Sequence, residues 1–354
     1  MISLDSRSET SANSVALVFL GTRGGGPELL LQIVNSLVKA NKKVTLLLSG
    51  KNENLYYLAD LNLDLIIVNP PNSKLSAIFG LFRSKRELDR LVFETNKRAL
   101  NSFFFVQPHY WDYFIVRNLI RIGKQVTYTV HDYPPHRGEI FPPKFLTKKI
   151  AKTATRVIAL NNECHQLLLK LNSNTVRSKL PRFFQSSETI QNKIWDVAYV
   201  GRIKKYKGLK NLSKAFQLLN TSSLRILVAG RGGLGTTFGA EVHLLNRWLT
   251  RDEVINNIRG TRVLVLPYLE ATQSGIIELA KAFEVTVVVT PVANLLEQVM
   301  DGGIGVIARS HKPHDLADAI MCALAGKAIT YEKNPLILAL DRFILEDLNH
   351  GMDR

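Results

Sequence analysis

Hydrophobic positions along the chain fall into short runs rich in valine, isoleucine and leucine, and most runs end in a polar or glycine-containing loop. Runs of this kind are typical of strands that are buried on both faces of a parallel sheet. They predict strands at Val15–Leu20, Val44–Leu48, Leu65–Val68, Phe103–Val106, Val126–Val130, Arg156–Leu160, Val197–Val200, Leu224–Ala229, Val263–Leu266 and Val285–Thr290.

Between many of these runs, apolar residues recur at the spacing of an amphipathic helix. The predicted helices are Glu28–Ala40, a segment that begins near Leu75, Glu163–Leu171, Leu209–Leu219, 252–259, one that opens at Ser274-Gly275 and a last one within 331–350. Strands and helices therefore alternate in both halves of the chain. This pattern predicts an α/β protein with two Rossmann-like domains.

A segment without clear periodicity, Pro181–Asp196, is interpreted as the hinge between the two domains. The predicted boundaries are a polar tail at 1–13, a first domain at 14–183, a second domain at 184–330 and a closing helix at 331–354. We also hypothesise that this closing helix crosses back to the first domain. A chain of 354 residues is long enough for two domains.

The charge of the chain is strongly basic, with 46 Lys and Arg against 30 Asp and Glu, a net charge of +16. Such an excess indicates an anionic partner, either nucleic acid, an anionic membrane or a phosphorylated substrate, or else serves general solubility. Two cysteines, Cys164 and Cys322, indicate free thiols in a reducing compartment. The polar start resembles no signal peptide, and we expect a cytoplasmic protein.

The most informative stretch runs from the strand Val263–Leu266 into the helix that opens at Ser274-Gly275. Ligands of open α/β sheets bind where strands end, and free N–H groups at a helix start hold anions. Glu270 and Glu278 would lie there beside the segment Thr272-Gln273-Ser274-Gly275. Carboxylates beside an anion site suit a ligand that carries both phosphates and hydroxyls, such as a nucleotide sugar.

Two cations follow the first strand of the second half. Arg202 and Lys207 flank a short loop after Gly201, and Gly230 ends the next strand. Fixed cations at a strand end can bind a diphosphate and stabilise its charge as it leaves. The alternative is a pair of solvated basic side chains.

The first half carries a glycine loop after its first strand, with Gly21, Gly24 and Gly25. Arg23 stands where a dinucleotide-binding loop has its second glycine, so the pattern argues against a nicotinamide cofactor. We predict that these glycines let the backbone approach a ligand held by the second domain, and a plain tight turn is the alternative.

A second loop of the first half is rich in histidine and proline and follows the strand Val126–Val130. It places His131, Asp132 and His136 at the carboxyl edge of the sheet. Their spacing matches no standard zinc site, so we predict no metal there.

Residues 74–98 form a basic segment with interspersed aromatic residues, and their net charge is about +4. A helix of this kind can lie on an anionic membrane. The alternative is a helix that packs on the sheet and turns its charges to water.

Several motifs together resemble one family. They are Val200-Gly-Arg-Ile followed by Lys207-Gly-Leu, Glu270 with Glu278, Thr272-Gln-Ser-Gly275, His131-Asp132 with Pro135-His136, and Glu297 with Asp301-Gly302. Over about residues 15–310 the chain resembles the retaining nucleotide-sugar glycosyltransferases of the GT-B architecture, glycosyltransferase family 4. The resemblance implies two facing Rossmann-like domains, a donor site in the second, an acceptor site in the first, and metal-independent transfer with retained anomeric configuration.

The resemblance also implies roles for single residues. Arg202 and Lys207 hold the diphosphate and Glu278 holds the ribose. Glu270 lies at the sugar, and His131 contacts that sugar near the reacting centre. On the acceptor side it places Asp132 and His136.

The sequence departs from the family pattern at Tyr268, at Phe283–Thr286 and at Ala293-Asn294. We therefore expect a UDP- or GDP-sugar as the donor without naming the sugar, and we expect no further cofactor. The expected acceptor is a saccharide or lipid-linked molecule in polysaccharide or glycolipid assembly. The alternatives are a catalytically degenerate GT-B fold that only binds, an epimerase or a phosphorylase on the same fold, and a nucleic-acid binder. The last lacks any helix-turn-helix, zinc or RNA-recognition signature.

Overall fold

The chain consists of two compact units, Met1–Pro181 and Arg182–Arg354. The structure is a computed structural model and describes residues 14–23, 25–59, 61, 63–69, 81–135, 143–179, 193–219, 223–233, 235–239, 241–300 and 305–327. The predicted N-terminal tail, Gly24, His136, the segment 70–80, Asp301-Gly302, most of the hinge and the closing helix lie outside the described residues.

The first unit contains a parallel seven-stranded sheet with strand order β3-β2-β1-β4-β5-β6-β7. In chain order its elements are β1 (Ser14–Phe19), α1 (Gly25–Lys39), β2 (Lys43–Ser49), α2 (Leu55–Ala59), β3 (Asp64–Val68), α3 (Leu81–Lys97), β4 (Ser102–Phe105), α4 (Asp112–Arg121), β5 (Gln125–Val130), α5 (Lys144–Thr153), β6 (Arg156–Ala159), α6 (Asn162–Leu169) and β7 (Thr175–Arg177).

The second unit repeats this architecture with a parallel six-stranded sheet in the order β10-β9-β8-β11-β12-β13. Its elements are β8 (Trp195–Val200), a single 3-10 turn (Lys205–Lys207), α7 (Leu209–Leu218), β9 (Ile226–Ala229), β10 (Val242–Leu245), α8 (Arg251–Arg259), β11 (Thr261–Leu266), α9 (Gly275–Ala282), β12 (Thr286–Val289), α10 (Ala293–Met300), β13 (Gly305–Ile307) and α11 (Pro313–Leu324).

Both faces of the first sheet are covered by apolar side chains, because successive residues of a strand point to opposite faces. Leu17 and Phe19 of β1 lie in the cluster that packs on α1. Val18, between them, lies in the cluster that includes Leu91 of α3 and Ile115 of α4. The continuous apolar runs in the sequence thus reflect strands that are buried from both sides.

The strand order of each sheet reverses at one point, between β1 and β4 in the first unit and between β8 and β11 in the second. At such a point the loops after the two strands lead away in opposite directions and leave a crevice, which is where open α/β sheets bind ligands. The predicted α/β class with two Rossmann-like halves is confirmed. None of the described helices combines the length and apolar composition needed to cross a bilayer.

Candidate functional site

In the second unit, the loops that follow β8 and β11 lie side by side at the strand-order reversal. Val197 and Val263 are register partners, so Gly201 and Pro267 extend from neighbouring strand ends. The two loops are bonded to each other, since the Leu269 N–H donates to the Tyr206 carbonyl over 2.7 Å. Gly208 (φ +70°) lies so close to Pro267 that a Cβ would stand 1.8 Å from its carbonyl oxygen. The 3-10 turn is therefore fixed against the end of β11.

Both predicted diphosphate ligands lie on the β8 loop. Lys207 directs its ammonium onto the ring of Tyr268, with Nζ 3.5 Å from the ring centroid. Arg202 is exposed, and its carbonyl accepts a 2.7 Å hydrogen bond from the Tyr199 hydroxyl. Burial raises the pKa of Tyr268 to about 12, and the nearby charge of Arg202 opposes this rise. Lys207 thus lies over the buried ring of Tyr268, and Arg202 lies on the same loop at the strand-order reversal.

Glycines allow the loops after β8 and β9 to approach each other as bare backbone. The Gly201 N–H donates to the Ala229 carbonyl over 2.9 Å. Gly230 has a φ of +146°, and a Cβ there would lie 1.8 Å from the Gly201 carbonyl oxygen. The close contact explains why glycine ends both strands, and it brings the two predicted donor-loop glycines together.

The start of α9 also lies at this edge, and Ser274 occupies its N-cap position without a side-chain capping bond. The Ser274 hydroxyl instead hydrogen-bonds with the side chain of Tyr268. The Ser274 N–H donates to Gln298 Oε1 of α10 over 2.8 Å. A Cβ added to Gly275 would have no described atom within 4 Å, so the first turn of α9 is open on that side.

Glu278 is only 5% exposed and is held from two directions. Its Oε1 accepts from Lys281 Nζ at 3.2 Å and from Gln298 Nε2 at 3.0 Å. The sequence interpretation singled out Glu278 but neither Gln298 nor Lys281. Both keep the carboxylate rotamer fixed at the first turn of α9.

The loop between β11 and α9 carries the remaining predicted donor residues, Glu270, Thr272 and Gln273, and all three are partly exposed. The loop is tied down at both of its ends. Thr290 after β12 donates its hydroxyl to the Tyr268 carbonyl over 2.5 Å, and the Asn294 amide donates to the Ala271 carbonyl over 3.2 Å.

The first unit gathers the other predicted residues at its own strand-order reversal. Gly21 lies in the turn after β1, its carbonyl accepts from the Asn52 side chain at 3.2 Å, and Gly25 begins α1. His131 and Asp132 follow β5 and are partly exposed. His131 Nε2 lies 3.0 Å from the Val106 carbonyl, just after β4. Burial of the imidazole lowers the pKa of His131, so the ring is neutral near pH 7.

One buried polar group of this edge was not anticipated from the sequence. Asp112 begins α4, and its Oδ2 accepts from the His109 N–H at 2.6 Å and from the Tyr128 hydroxyl at 3.1 Å. Burial raises the pKa of Asp112 to about 8 and lowers that of His109 to about 4. The run Pro108-His109-Tyr110 directly after a predicted strand was the signal available in the sequence.

One group of potential metal ligands occurs among the residues described, formed by His314, Asp315 and Asp318 at the start of α11. Arg309 pairs with both carboxylates, at 3.4 Å and 2.5 Å. This cluster follows β13 at the outer edge of the sheet, and Arg309 offsets one of its two negative charges.

Sequence and fold comparisons point to the same class of protein. Residues 195–325 match the family model described as Glycosyl transferases group 1. Among solved structures, the Anabaena protein HepE in complex with UDP and glucose is similar with a TM-score of 0.67, at 14% identity, over 95% of this chain and 99% of that chain. The sucrose-phosphate synthase from Thermosynechococcus elongatus gives a TM-score of 0.66, at 14% identity, over 96% and 100%.

A glycosyltransferase from Rickettsia africae is similar with a TM-score of 0.65, at 13% identity, over 89% of this chain and 90% of that chain. No curated protein sequence matches the chain. At these identities the likeness establishes the fold, which is the GT-B architecture of two parallel Rossmann-like sheets, as the sequence predicts.

Proposed function

We propose that this protein is a retaining glycosyltransferase that moves a hexose from a UDP- or GDP-sugar to a saccharide or lipid-linked acceptor. In the reaction, the bond between the anomeric carbon and the diphosphate oxygen breaks, and the electron pair leaves with the nucleoside diphosphate. The acceptor oxygen forms the new bond on the same face of the sugar and releases its proton. Polysaccharide or glycolipid assembly is the setting that this proposal fits.

The observation that carries the proposal is the placement of Arg202 and Lys207 on one loop at the strand-order reversal of the second unit. A leaving diphosphate gains negative charge as the glycosidic bond breaks. Cations that are already fixed stabilise that charge without further reorganisation. The uncapped start of α9 offers backbone N–H groups to the same anion.

The two glutamates are proposed to contact different parts of the donor. The Oε1 atom of Glu278 is held by Lys281 and Gln298, and we propose that its other oxygen accepts from a ribose hydroxyl. Glu270 lies in the partly exposed loop before α9 and is assigned to the transferred sugar. Thr272 and Gln273 flank it as further donor contacts.

The first unit is proposed to bind the acceptor and to contribute His131 to the transferred sugar. Neutral imidazole can donate or accept a hydrogen bond to a sugar hydroxyl, and the lowered pKa of His131 keeps the ring neutral at physiological pH. Asp132 follows it on the same loop. His136, which the family resemblance also places here, lies outside the described residues.

Metal independence is part of the proposal because Arg202 and Lys207 supply the positive charge that a divalent ion otherwise brings to a diphosphate.

The functional test is nucleotide release from a panel of UDP- and GDP-sugars, with and without excess EDTA. We expect release from at least one donor and no loss of rate with chelator. If the protein binds sugar nucleotides but releases nothing with any acceptor fraction, the alternative of a degenerate, purely binding GT-B fold is correct.

A further inference from the structure

Tyr268 is the residue at which the sequence departs from the family pattern inside the proposed donor site. It follows β11 and is 1% exposed, although tyrosine is amphipathic and is seldom fully buried. The Lys207 ammonium lies 3.5 Å from the centroid of its ring, well inside the distance at which a cation interacts with an aromatic face. The ring of Tyr206 is also near, at 5.1 Å.

Tyr268 is held through both its backbone and its side chain. Its carbonyl accepts from the Thr290 hydroxyl at 2.5 Å, and its side chain hydrogen-bonds with Ser274 at the start of α9. The next residue, Leu269, donates its N–H to the Tyr206 carbonyl. These contacts join Tyr268 and its neighbour Leu269 to the residue after β12, to the start of α9 and to the loop of Lys207.

A lysine needs such support if it is to act as a fixed cation. Its charge sits at the end of four methylene groups, and ordering this stem costs rotamer entropy. The Lys207 ammonium contacts two tyrosine rings, with Nζ 5.1 Å from the ring centroid of Tyr206 and 3.5 Å from that of Tyr268. The deeper of those rings, Tyr268, has the shorter contact.

We propose that Tyr268 is a positioning residue that holds the Lys207 ammonium over the strand-order reversal, where it meets the diphosphate of the donor. The inference rests on the proposed function, because the ligand of Lys207 is the donor diphosphate. A second consequence concerns Ser274. Since its hydroxyl bonds with Tyr268 instead of capping α9, the first N–H groups of that helix stay available to the same anion.

A purely structural role would make Tyr268 an ordinary core residue whose ring only fills space. The two roles differ in what they demand of the ring. Space filling depends on its volume, whereas holding a cation depends on the negative charge of its face. Fluorine atoms withdraw that charge while changing the volume little, so a fluorinated series separates the two roles without a destabilising truncation of the side chain.

The experiment replaces Tyr268 by phenylalanine and then by phenylalanines that carry one, two and three ring fluorines. Calorimetry measures the affinity for UDP and GDP, with the nucleosides uridine and guanosine as phosphate-free controls. From phenylalanine to the trifluoro ring we expect the diphosphate affinity to fall stepwise, about 3- to 30-fold in total. Nucleoside affinity should stay constant, and thermal unfolding should show that every variant is folded.

The same series in a Lys207→Met background is the matched control, because methionine keeps a long stem and carries no charge. There we expect no dependence on fluorination. A flat series with Lys207 present, or an equal slope with and without it, overturns the positioning role while leaving the proposed function intact. If the unmodified protein binds neither UDP nor GDP, the proposed function itself is wrong and the positioning role falls with it.

Discussion

Single residues at the edge of the second sheet differ sharply in how firmly they are held. Lys207 is fixed against Tyr268, whereas Arg202 is exposed, although both follow β8 on the same loop. Arginine can bind two phosphate oxygens at once, and lysine acts as a point charge. The pair therefore combines a preset charge with a group that can adapt to the incoming donor.

Removing either cation tests that arrangement. Arg202→Ala and Lys207→Ala should each slow transfer at least about tenfold, because a charge-assisted hydrogen bond contributes roughly 1.5–3 kcal/mol. The matched control is Lys205→Ala, an exposed lysine of the same 3-10 turn, which should leave the rate within about twofold. Steady-state kinetics with the best donor would decide, and unchanged rates in both variants would contradict the assignment.

The two glutamates are expected to act on different parts of the donor. Glu278→Gln should weaken binding of the free nucleoside diphosphate, and Glu270→Gln should mainly slow turnover of the intact donor. Since Glu278 pairs with the nearly buried Lys281, its substitution also leaves that cation unpaired, at a cost of about 3 kcal/mol or more in the free energy of unfolding.

Lys281→Met breaks the same ion pair from its other end and is the stability control for Glu278→Gln. Calorimetry should find a smaller loss of nucleotide affinity than in Glu278→Gln, because Gln298 still holds the Glu278 carboxylate. Equal losses of nucleotide affinity in Glu278→Gln and Glu270→Gln would refute the proposed division.

Asp112 predicts a pH dependence of stability in the first unit. Its pKa is about 8 when folded and near 3.8 when unfolded, so the folded state keeps a proton that the unfolded state loses. The contribution of Asp112 to the free energy of unfolding should therefore fall as pH rises from about 4 to about 8. Asp112→Asn keeps an acceptor for the His109 N–H and the Tyr128 hydroxyl and removes the ionisation.

Relative to the unmodified protein, Asp112→Asn should gain at least about 1 kcal/mol at pH 8 and little at pH 4. Urea denaturation across this range is the measurement. His109 acts in the opposite direction between its lowered pKa of about 4 and its ordinary value of 6.5, so the net fall in the unmodified protein is expected between about pH 6.5 and about pH 8. A gain that is the same at both ends of the range would show that Asp112 stays ionised in the fold.

At the scale of elements, the contact between the loops after β8 and β11 depends on Gly208. An alanine there would adopt an unfavourable φ of +70° and place its Cβ 1.8 Å from the Pro267 carbonyl oxygen. We expect Gly208→Ala to lower the free energy of unfolding by more than about 2 kcal/mol and to weaken nucleotide binding with it. Gly233→Ala, where a Cβ meets no described atom within 4 Å, is the control and should cost less than about 1 kcal/mol.

The central strands could be predicted from the sequence because burial on both faces makes them continuous apolar runs, as in β11 and β12. Of the outer strands, β3 could be predicted in the same way, but β7 and β10 could not. Only Thr175 of β7 and Val242 of β10 are buried, so neither strand leaves an apolar run. Helices α4 and α5 also have apolar residues at helical spacing. They are absent from the predicted helices because the polar and proline-rich loops before them dominate the pattern of those segments.

In the candidate site, too, features set by neighbouring residues in the sequence could be predicted, and contacts between distant segments could not. The positions of Arg202, Lys207 and Glu270 at the sheet edge could be predicted because each lies in a loop that follows a strand, and that of Glu278 because it lies in the first turn of the next helix. The partners of Glu278 and the role of Tyr268 could not. Gln298 comes from α10, and Lys207 meets Tyr268 only because β8 and β11 are neighbours in the sheet although far apart in sequence.

At the scale of the whole molecule, we propose that the protein docks peripherally on the inner face of the membrane, since its net charge is +16 and part of that charge lies in residues 74–98. Of the segment proposed for this contact, 74–98, the structure describes α3. Lys85, Arg86 and Lys97 are exposed on it, and Phe93 is 64% exposed. Each basic residue near an anionic surface contributes about 1 kcal/mol, and salt screens the attraction.

Vesicle co-sedimentation tests this docking. The protein should bind vesicles with anionic lipid at low salt and release at high salt, and a Lys85/Arg86/Lys97→Glu variant should bind at least about tenfold less. Charge reversal at Lys39/Lys42/Lys43, exposed residues in and after α1, is the control for net charge alone. Equal loss in both variants would mean that the segment is an ordinary solvated helix face.

The measurement that bears most directly on the central claim is a crystal structure of the chain with UDP or GDP, whichever binds more tightly. We predict that the diphosphate binds at the strand-order reversal of the second unit, about 2.7–3.2 Å from donor atoms of Arg202 and Lys207, and that the ribose lies against Glu278. A nucleotide bound instead at the glycine loop of the first unit, or one that touches neither cation, would contradict it.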